Sequence, residues 1–492
     1  MFKYLFFIGM TLCFLACPGS IATVIHVPVD QPTIQAGINA ASEGDTVLVD
    51  KDEYKGEGNR DIVFLGKAIT VRSEFGPDST IINCEGLSAE PHVGFIFENN
   101  EDTLSVLKGF KIINGFAPII FPEGSAGGAI ICYEASPRID SCLFQDNTAQ
   151  HGGGIMCYHS AAVITRCVFI DNTAFSNGGG MLAFESTVLM DSCLFYANFV
   201  SDVDAGGGGL AAVHCDSVKV SHCSFESNTS EEDGGGALFI SNDKMKIDRC
   251  VFYNNTCFNE GGGALIEDSD AEVVNTVFTE NFAYVSSGGL MCEQSRTSIA
   301  NCTFVLNEGP LSAGVSFWDP LEPVTIENTL VTYNYGSPIT TDDTLVTFNI
   351  SCCDFFDNSD GDWFGFFAKF ENIDGNFSED PIFCNTPGYE LNLNSGSPCA
   401  PANNDCGTLI GALEVGCSCC IGFTGNADCS ASEDPDITDI TAIIDHLYLS
   451  HKPLCCPEEA DTDGSGGDPD ITDITKIIDY LYLSHTPLAN CP

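Results

Sequence analysis

Residues 152–172, GGGIMCYHSAAVITRCVFIDN, decide the fold. A glycine tract, Gly152-Gly153-Gly154, opens the stretch, and a box in which Cys167, Phe169 and Asn172 stand two and three residues apart closes it. Outward from here the same unit returns. Tracts at Gly127-Gly128, Gly178 to Gly180, Gly206 to Gly209, Gly234 to Gly236, Gly261 to Gly263 and Gly288-Gly289 interleave with further boxes. These are Cys142/Phe144/Asn147, Cys193/Phe195/Asn198, Cys223/Phe225/Asn228, Cys250/Phe252/Asn255 and Cys302/Phe304/Asn307; Thr276/Phe278/Asn281 keeps the Phe and Asn without the Cys. The unit recurs about every 26 residues, and a period of roughly 20 to 50 residues marks a solenoid.

Within each unit apolar residues alternate over short runs, as in strands with one face on a core, and no helix-length 3.6-residue pattern occurs. Stacked coils would set like residues about 4.8 Å apart, Phe over Phe and Asn over Asn. Asn amides can bond along such a ladder and satisfy the turns, and glycine permits positive φ and close backbone approach. The Gly-Gly-apolar-apolar and Phe-x-x-Asn pairing resembles the repeats of polymorphic outer-membrane proteins and the wider right-handed parallel β-helix family to which pectate lyases belong. The resemblance covers residues 120–310. It implies an all-β fold, a right-handed parallel β-helix (β-solenoid) over residues 23–416, with roughly 10–12 coils and a length of about 50 Å. Ile34, Ile38 and Ala41, at helical spacing, predict a short helix closing the open N-terminal end, which a solenoid requires. Beyond Gly314 the repeat decays, and Asp380 to Cys384 with Ser397-Pro398-Cys399 read as closing the last coils.

Residues 1–22 read as a secretory signal: Lys3 is the basic end, Tyr4 to Ala16 the apolar core and Ser20-Ile21-Ala22 the cleavage site. Phe14-Leu15-Ala16-Cys17 leaves a lipid-anchored form open. After residue 120 no apolar run approaches the roughly 18 residues that span a bilayer, so the mature chain is expected to be secreted or at the cell surface. Of 26 cysteines, Cys13 and Cys17 fall in the leader. Cys132/Cys142, Cys157/Cys167 and Cys292/Cys302 stand ten apart, leaving bridges within a coil and a stack of buried free thiols as alternatives. With 18 Lys+Arg against 69 Asp+Glu, a net charge of −51, nucleic acid is excluded as a partner, because binding it requires cations on phosphates.

Residues 434–454 and 468–488 are a tandem duplication, DPDITDITAIIDHLYLSHKPL and DPDITDITKIIDYLYLSHTPL, identical at 18 of 21 positions. Ile440, Ile443, Ile444 and Leu447 share one helical face, as do Ile474, Ile477, Ile478 and Leu481. An acidic loop precedes each helix: Asn426, Asp428 and Ser430 alternate before Asp439, and Asp461, Asp463 and Ser465 alternate before Gly466 and Asp473. Alternating oxygen ligands, a glycine turn and a carboxylate entering a helix suit Ca²⁺. The duplication resembles the dockerin family, whose paired loop–helix units bind calcium and dock onto cohesin modules. Carried over by position, it implies Asn426, Asp428, Ser430 and Asp439 as ligands of one calcium and Asp461, Asp463, Ser465 and Asp473 as those of a second. The loops exceed the 12-residue pattern by two residues and one, and Pro435 and Pro469 replace its apolar residue; Asp436 and Asp470 would bind directly or through water. Residues 417–492 are thus read as a small α-helical, EF-hand-like (dockerin-like) domain, stapled by Cys419, Cys420, Cys429, Cys455, Cys456 and Cys491.

No catalytic motif emerges. There is no Gly-x-Ser-x-Gly elbow and no triad, and Arg138, Arg166, Arg249 and Arg296 read as surface decoration, the first three on related faces. His159, His214 and His222 read as turn or surface residues, and His151 precedes a glycine tract. The expectation is an extracellular rod binding a polysaccharide or cell surface, with a calcium-dependent docking module and a cohesin-like partner. The second reading is a polysaccharide lyase or glycoside hydrolase.

Overall fold

The computed structural model describes residues 22–117, 127–202, 206–385, 390–417, 424–427, 435–449, 454, 456–465 and 469–489. Of the leader read at residues 1–22, only Ala22 lies among them. The chain winds as a right-handed parallel β-solenoid. Sheet 1 has thirteen strands, from Val24–Val27 to Phe348–Ser351, and sheet 2 has twelve, from Asp52–Tyr54 to Asp354–Phe356. Sheet 3 has eleven, from Ile62–Val63 to Ile339–Thr341, and a narrow sheet 4 has seven, from Phe116–Ala117 to Phe282–Ala283. Thirteen levels exceed the expected number, for about 58 Å of stacking. Coils continue past Gly314 even though the glycine-and-box pattern fades there.

Register is strict. Phe144, Phe169, Phe195, Phe225, Phe252, Phe278 and Phe304 pair in succession along sheet 2. All are fully buried, and the rings of Phe169 and Phe195 stack at 4.4 Å and 3°. The Asn of each box ends the coil's stay in sheet 2. Asn172 Nδ2 donates to the Phe144 carbonyl and to Asn198 Oδ1, both at 3.0 Å, and the pattern runs unbroken to Asn334 and Asn358. Those last two rungs keep the coil closed after the glycine tracts have gone.

Two lesser ladders hold the other corners. Between sheets 1 and 2, Cys193 N–H donates to Cys223 Sγ at 3.4 Å, Cys250 N–H to Thr276 Oγ1 at 3.3 Å and Cys302 N–H to Thr329 Oγ1 at 3.5 Å. Between sheets 3 and 1, Cys215 N–H donates to Asn242 Oδ1, Asn242 N–H to Ser269 Oγ and Ser269 N–H to Ser295 Oγ, each at 3.0 Å. These buried backbone donors are thereby paired across coils, which an uncapped turn could not achieve without a cost of about 1–3 kcal/mol per group.

The glycine tracts follow sheet 4 and lead back into sheet 3. Here Met156, Leu182, Leu238, Leu265 and Met291 are packed into a second, outer apolar layer. A Cβ on Gly153 would stand 2.2 Å from the Gly179 carbonyl oxygen, so backbone occupies the space a side chain would need. Gly152, Gly178, Gly207, Gly234 and Gly261 also have positive φ.

The helix Ile34–Ala40, capped by Thr33, buries Ile34 and Ile38 in the main core at the N-terminal end. At the other end Trp363 stacks on Phe355 at 4.1 Å and Phe367 meets Phe348 at 5.3 Å. Phe383, Leu391, Leu393 and Ile410 pack on Val277, Val305 and Leu330, covering the outer face of sheet 2 rather than completing coils. The cysteine alternatives resolve toward free thiols. Cys132, Cys142, Cys157, Cys167, Cys292 and Cys302 are buried and unbridged, while Cys352 and Cys406 form a disulfide and Cys384 and Cys456 are disulfide-bonded. In the duplication, helices Ile437–Ile444 and Ile471–Ile478 bury Ile440, Ile443, Ile474 and Ile477 with Ala427 and Ala460. Ile478 is 36% exposed and outside that core.

Candidate functional site

The solenoid sorts its few cations onto one face. Between residues 68 and 350 the chain has ten lysines and arginines. Arg72, Lys108, Arg138, Lys219, Lys246 and Arg296 lie on strands of sheet 1, Arg166 and Arg249 on the turns that follow, and Lys244 on a turn that leads in. Only Lys111 belongs to sheet 2. Alternation fixes their direction: Ile139 and Ile164 point into the core, so Arg138 and Asp140 point out.

Register then assembles a charged ridge. Lys108, Asp140, Thr165 and Asp191 are successive partners across sheet 1. Asp140, 3% exposed, accepts from Lys108 Nζ at 3.0 Å, Thr165 Oγ1 at 3.0 Å and Arg166 Nη2. Burial works to raise its pKa, but Lys108, Thr165 and Arg166 together hold it below the usual carboxylate value. Asp191 pairs with His222 Nδ1 at 2.9 Å, and that hydrogen bond lowers its pKa. Farther along, Arg249 pairs with Asp248, Lys246 with Glu272, and Arg296 with Asp270. Exposed Arg138 and Lys219 have no ion pair among the described residues. Arg249 also borders a cleft of about 500 Å³ with Asn275, Asn301, Asn328 and Thr408, where the segment around Gly411 crosses the edge of sheet 2.

A second cluster runs along sheet 3 and the glycine tracts that lead into it. Asp233 and Glu260 occupy the position just before successive glycine tracts, and Glu267 and Glu293 are paired at the end of sheet 3. Burial, then Glu232, pushes Asp233 up to about 6; burial, then Asp233 and Glu293, pushes Glu260 up to about 7. Glu267 and Glu293 are raised too, chiefly by burial. No cation offsets this stack among the described residues.

In the C-terminal duplication, Asp461, Asp463 and Asp473 bring one carboxylate oxygen each within 4.8 Å of one another. Asp461 and Asp463 accept from Ser465 N–H at 3.0 and 2.9 Å, and Asp473 Oδ1 accepts from Asp463 N–H at 3.1 Å. Hard oxygens converging from a loop and a helix entry fit the donor set of calcium. In the other loop Asp439 is buried, Asn426 N–H donates to Glu459 at 3.1 Å, and Asp428 and Ser430 lie outside the described residues. Asp436 and Asp470 cap their helices: each accepts from the Thr two residues on at 2.6 Å, while Asp439 and Asp473 bond back at 2.8 Å.

The four arginines read as decoration therefore share one face, and His222 joins them. His159 pairs with Glu185 on a turn elsewhere. What the sequence reading missed is Asp140, Asp191 and Lys108. A signal was present, since Asp140, Asp191 and Asp248 all stand two residues before a box cysteine.

Residues 78–278 match the family model described as a right handed beta helix region. No curated protein matches the chain in sequence. Among solved structures, a PL6 family alginate lyase is 13% identical, with 76% of this chain and 55% of that chain covered and a TM-score of 0.40. The catalytic unit of a thermostable GH87 alpha-1,3-glucanase from Streptomyces thermodiastaticus is 12% identical, with 70% and 65% covered and a TM-score of 0.35. The surface adhesin PfbA of Streptococcus pneumoniae is 9% identical, with 65% and 88% covered and a TM-score of 0.29. The chain thus spans little more than half of the lyase's length. Among the described residues no helix is long and apolar enough to cross a membrane.

Proposed function

We propose that this is an extracellular polysaccharide-binding rod whose ligand lies along sheet 1, carrying a calcium-dependent, dockerin-like docking module at residues 417–492. The observation that carries the reading is the segregation of cations: in a chain of net charge −51, nine of ten lysines and arginines over residues 68–350 flank one sheet. A flat parallel sheet repeating about every 4.8 Å offers a long track, and its unpaired Arg138 and Lys219 favour a polymer bearing carboxylates. In the module Asp461, Asp463, Ser465 and Asp473 would hold one calcium, and Asn426, Asp428, Ser430 and Asp439 a second. Calcium there would neutralise the clustered carboxylates and fix the two helices, presenting a surface to a cohesin-like partner.

Electrophoresis through gels containing pectate or alginate tests the binding claim. Wild type should be retarded, Arg138→Ser/Lys219→Ser should run as in a blank gel, and Lys111→Ser on sheet 2 should behave as wild type. Equal mobility of all three, with or without polymer, would reject it.

A lyase or hydrolase is the second reading, favoured by one observation: Lys108, Arg166 and His222 gather around Asp140 and Asp191 on the proposed ligand face. Ultraviolet absorbance from unsaturated products, lost in Arg166→Ala, would establish the lyase form.

A further inference from the structure

Cys142, Cys167, Cys193, Cys223 and Cys250 form an uninterrupted column of thiols. Each directly precedes one of the paired residues Leu143, Val168, Leu194, Ser224 and Val251 of sheet 2. All five are free and no more than 2% exposed. The turn itself does not require sulfur. Thr276 and Thr329 occupy the same place at later levels, and each hydroxyl donates to the carbonyl two residues back, at 2.8 and 2.9 Å. Cys167, Cys193, Cys223 and Cys250 make the matching bond at 3.4, 3.5, 3.2 and 3.5 Å. Five consecutive thiols therefore exceed what turn closure asks for.

The spacing says what the column can accept. A parallel in-register stack repeats by translation, so Cβ over Cβ and sulfur over sulfur recur at about 4.8 Å. A disulfide needs Cβ atoms about 3.5–4.5 Å apart, so the stack holds its thiols just beyond bridging distance. Two metal–thiolate bonds of about 2.3 Å in line span about 4.6 Å, which matches the repeat. Thiolates are soft ligands that suit Cu(I), zinc and iron–sulfur clusters; of these, zinc calls for four ligands around it, whereas soft univalent d¹⁰ ions accept two in a line.

We propose that this column is a binding site for soft two-coordinate cations of the Cu(I) class, each held between the sulfurs of successive coils. Binding exchanges protons for metal. Four thiols lose four protons as two univalent cations enter, for example one between Cys142 and Cys167 and one between Cys193 and Cys223, so each filled pair carries a single negative charge. Each cation thus offsets one of the two thiolate charges it gathers, in an apolar interior where isolated thiolates are strongly disfavoured.

The test is anaerobic titration of the full chain with chelator-buffered Cu(I), read by native mass spectrometry and the ultraviolet thiolate-to-copper band. The comparison is Cys193→Thr/Cys223→Thr, which borrows the residue the fold already uses at positions 276 and 329. Wild type should bind about one ion more than this variant, with both showing the same denaturation midpoint. No copper retained by folded wild type, equal stoichiometry in the two chains, or uptake only in denaturant would each overturn the proposal. So would an intact mass showing these cysteines already joined as disulfides.

Discussion

Asn198 and Asn228, one coil apart, share a hydrogen bond in which Asn198 Nδ2 donates to Asn228 Oδ1 at 2.9 Å, while Asn228 Oδ1 also takes the Asn198 backbone N–H at 3.0 Å. One side-chain oxygen thus satisfies two buried donors, and its own amide satisfies the Phe195 carbonyl and Asn255. Asn228→Ala should lower stability by about 2–4 kcal/mol, since it strands several buried groups at about 1–3 kcal/mol each. Chemical denaturation checks this, and Glu231→Ala on the exposed surface should change little.

Backbone contact, rather than conformational freedom alone, sets the glycine requirement at Gly208. Its Cβ would lie 2.3 Å from the Gly235 carbonyl oxygen, and φ there is not positive. Gly208→Ala should therefore destabilise by about 3 kcal/mol or more, while Gly76→Ala, in open space, should cost about 1 kcal/mol from its positive φ.

Stability should fall as pH rises from about 4 to 8. Asp354 is pushed up to about 8 by burial, Glu260 to about 7 and Asp233 to about 6, each also chiefly by burial. A carboxyl with a raised folded-state pKa keeps its proton in the fold after the unfolded chain has lost it. The folded state then binds more protons across the window between the two values, and stability declines through it. Denaturation midpoints measured across that range check the sign, and Asp354→Asn should flatten the segment between pH 7 and 8.

Calcium should raise the helical circular dichroism of the full chain and its thermal midpoint. Asp461→Ala/Asp463→Ala should blunt both responses. Asp470→Ala should retain binding while weakening the helix, because Asp470 serves as the N-cap of Ile471–Ile478.

The columns that repeat were legible in the sequence, and the surface that does not repeat was not. Phe144 to Phe304 and Asn147 to Asn307 recur in every box, so periodicity exposed them. The outward residues of sheet 1 do not repeat with the boxes: Arg138, Val163, Leu189, Lys219 and Lys246 are register partners in which apolar levels interrupt the cations. Lys108 precedes the first box and meets Asp140 only because the strands align. The state of the thiols was unreadable because translation along the stack, which no local motif encodes, sets their separation. Asp436 and Asp470 were read from position only as metal ligands, and their second role as caps of the helices that follow needed the backbone.

Lysine acetylation, with and without saturating acidic polysaccharide and read by mass spectrometry, tests the ligand face most directly. Lys108, Lys219 and Lys246 on sheet 1 should be shielded by the polymer, while Lys111 on sheet 2 and exposed Lys55, which follows the sheet 2 strand Asp52–Tyr54, should react as before. Shielding of Lys111 with sheet 1 left reactive, or no change at any lysine under conditions where binding is measured, would contradict the account.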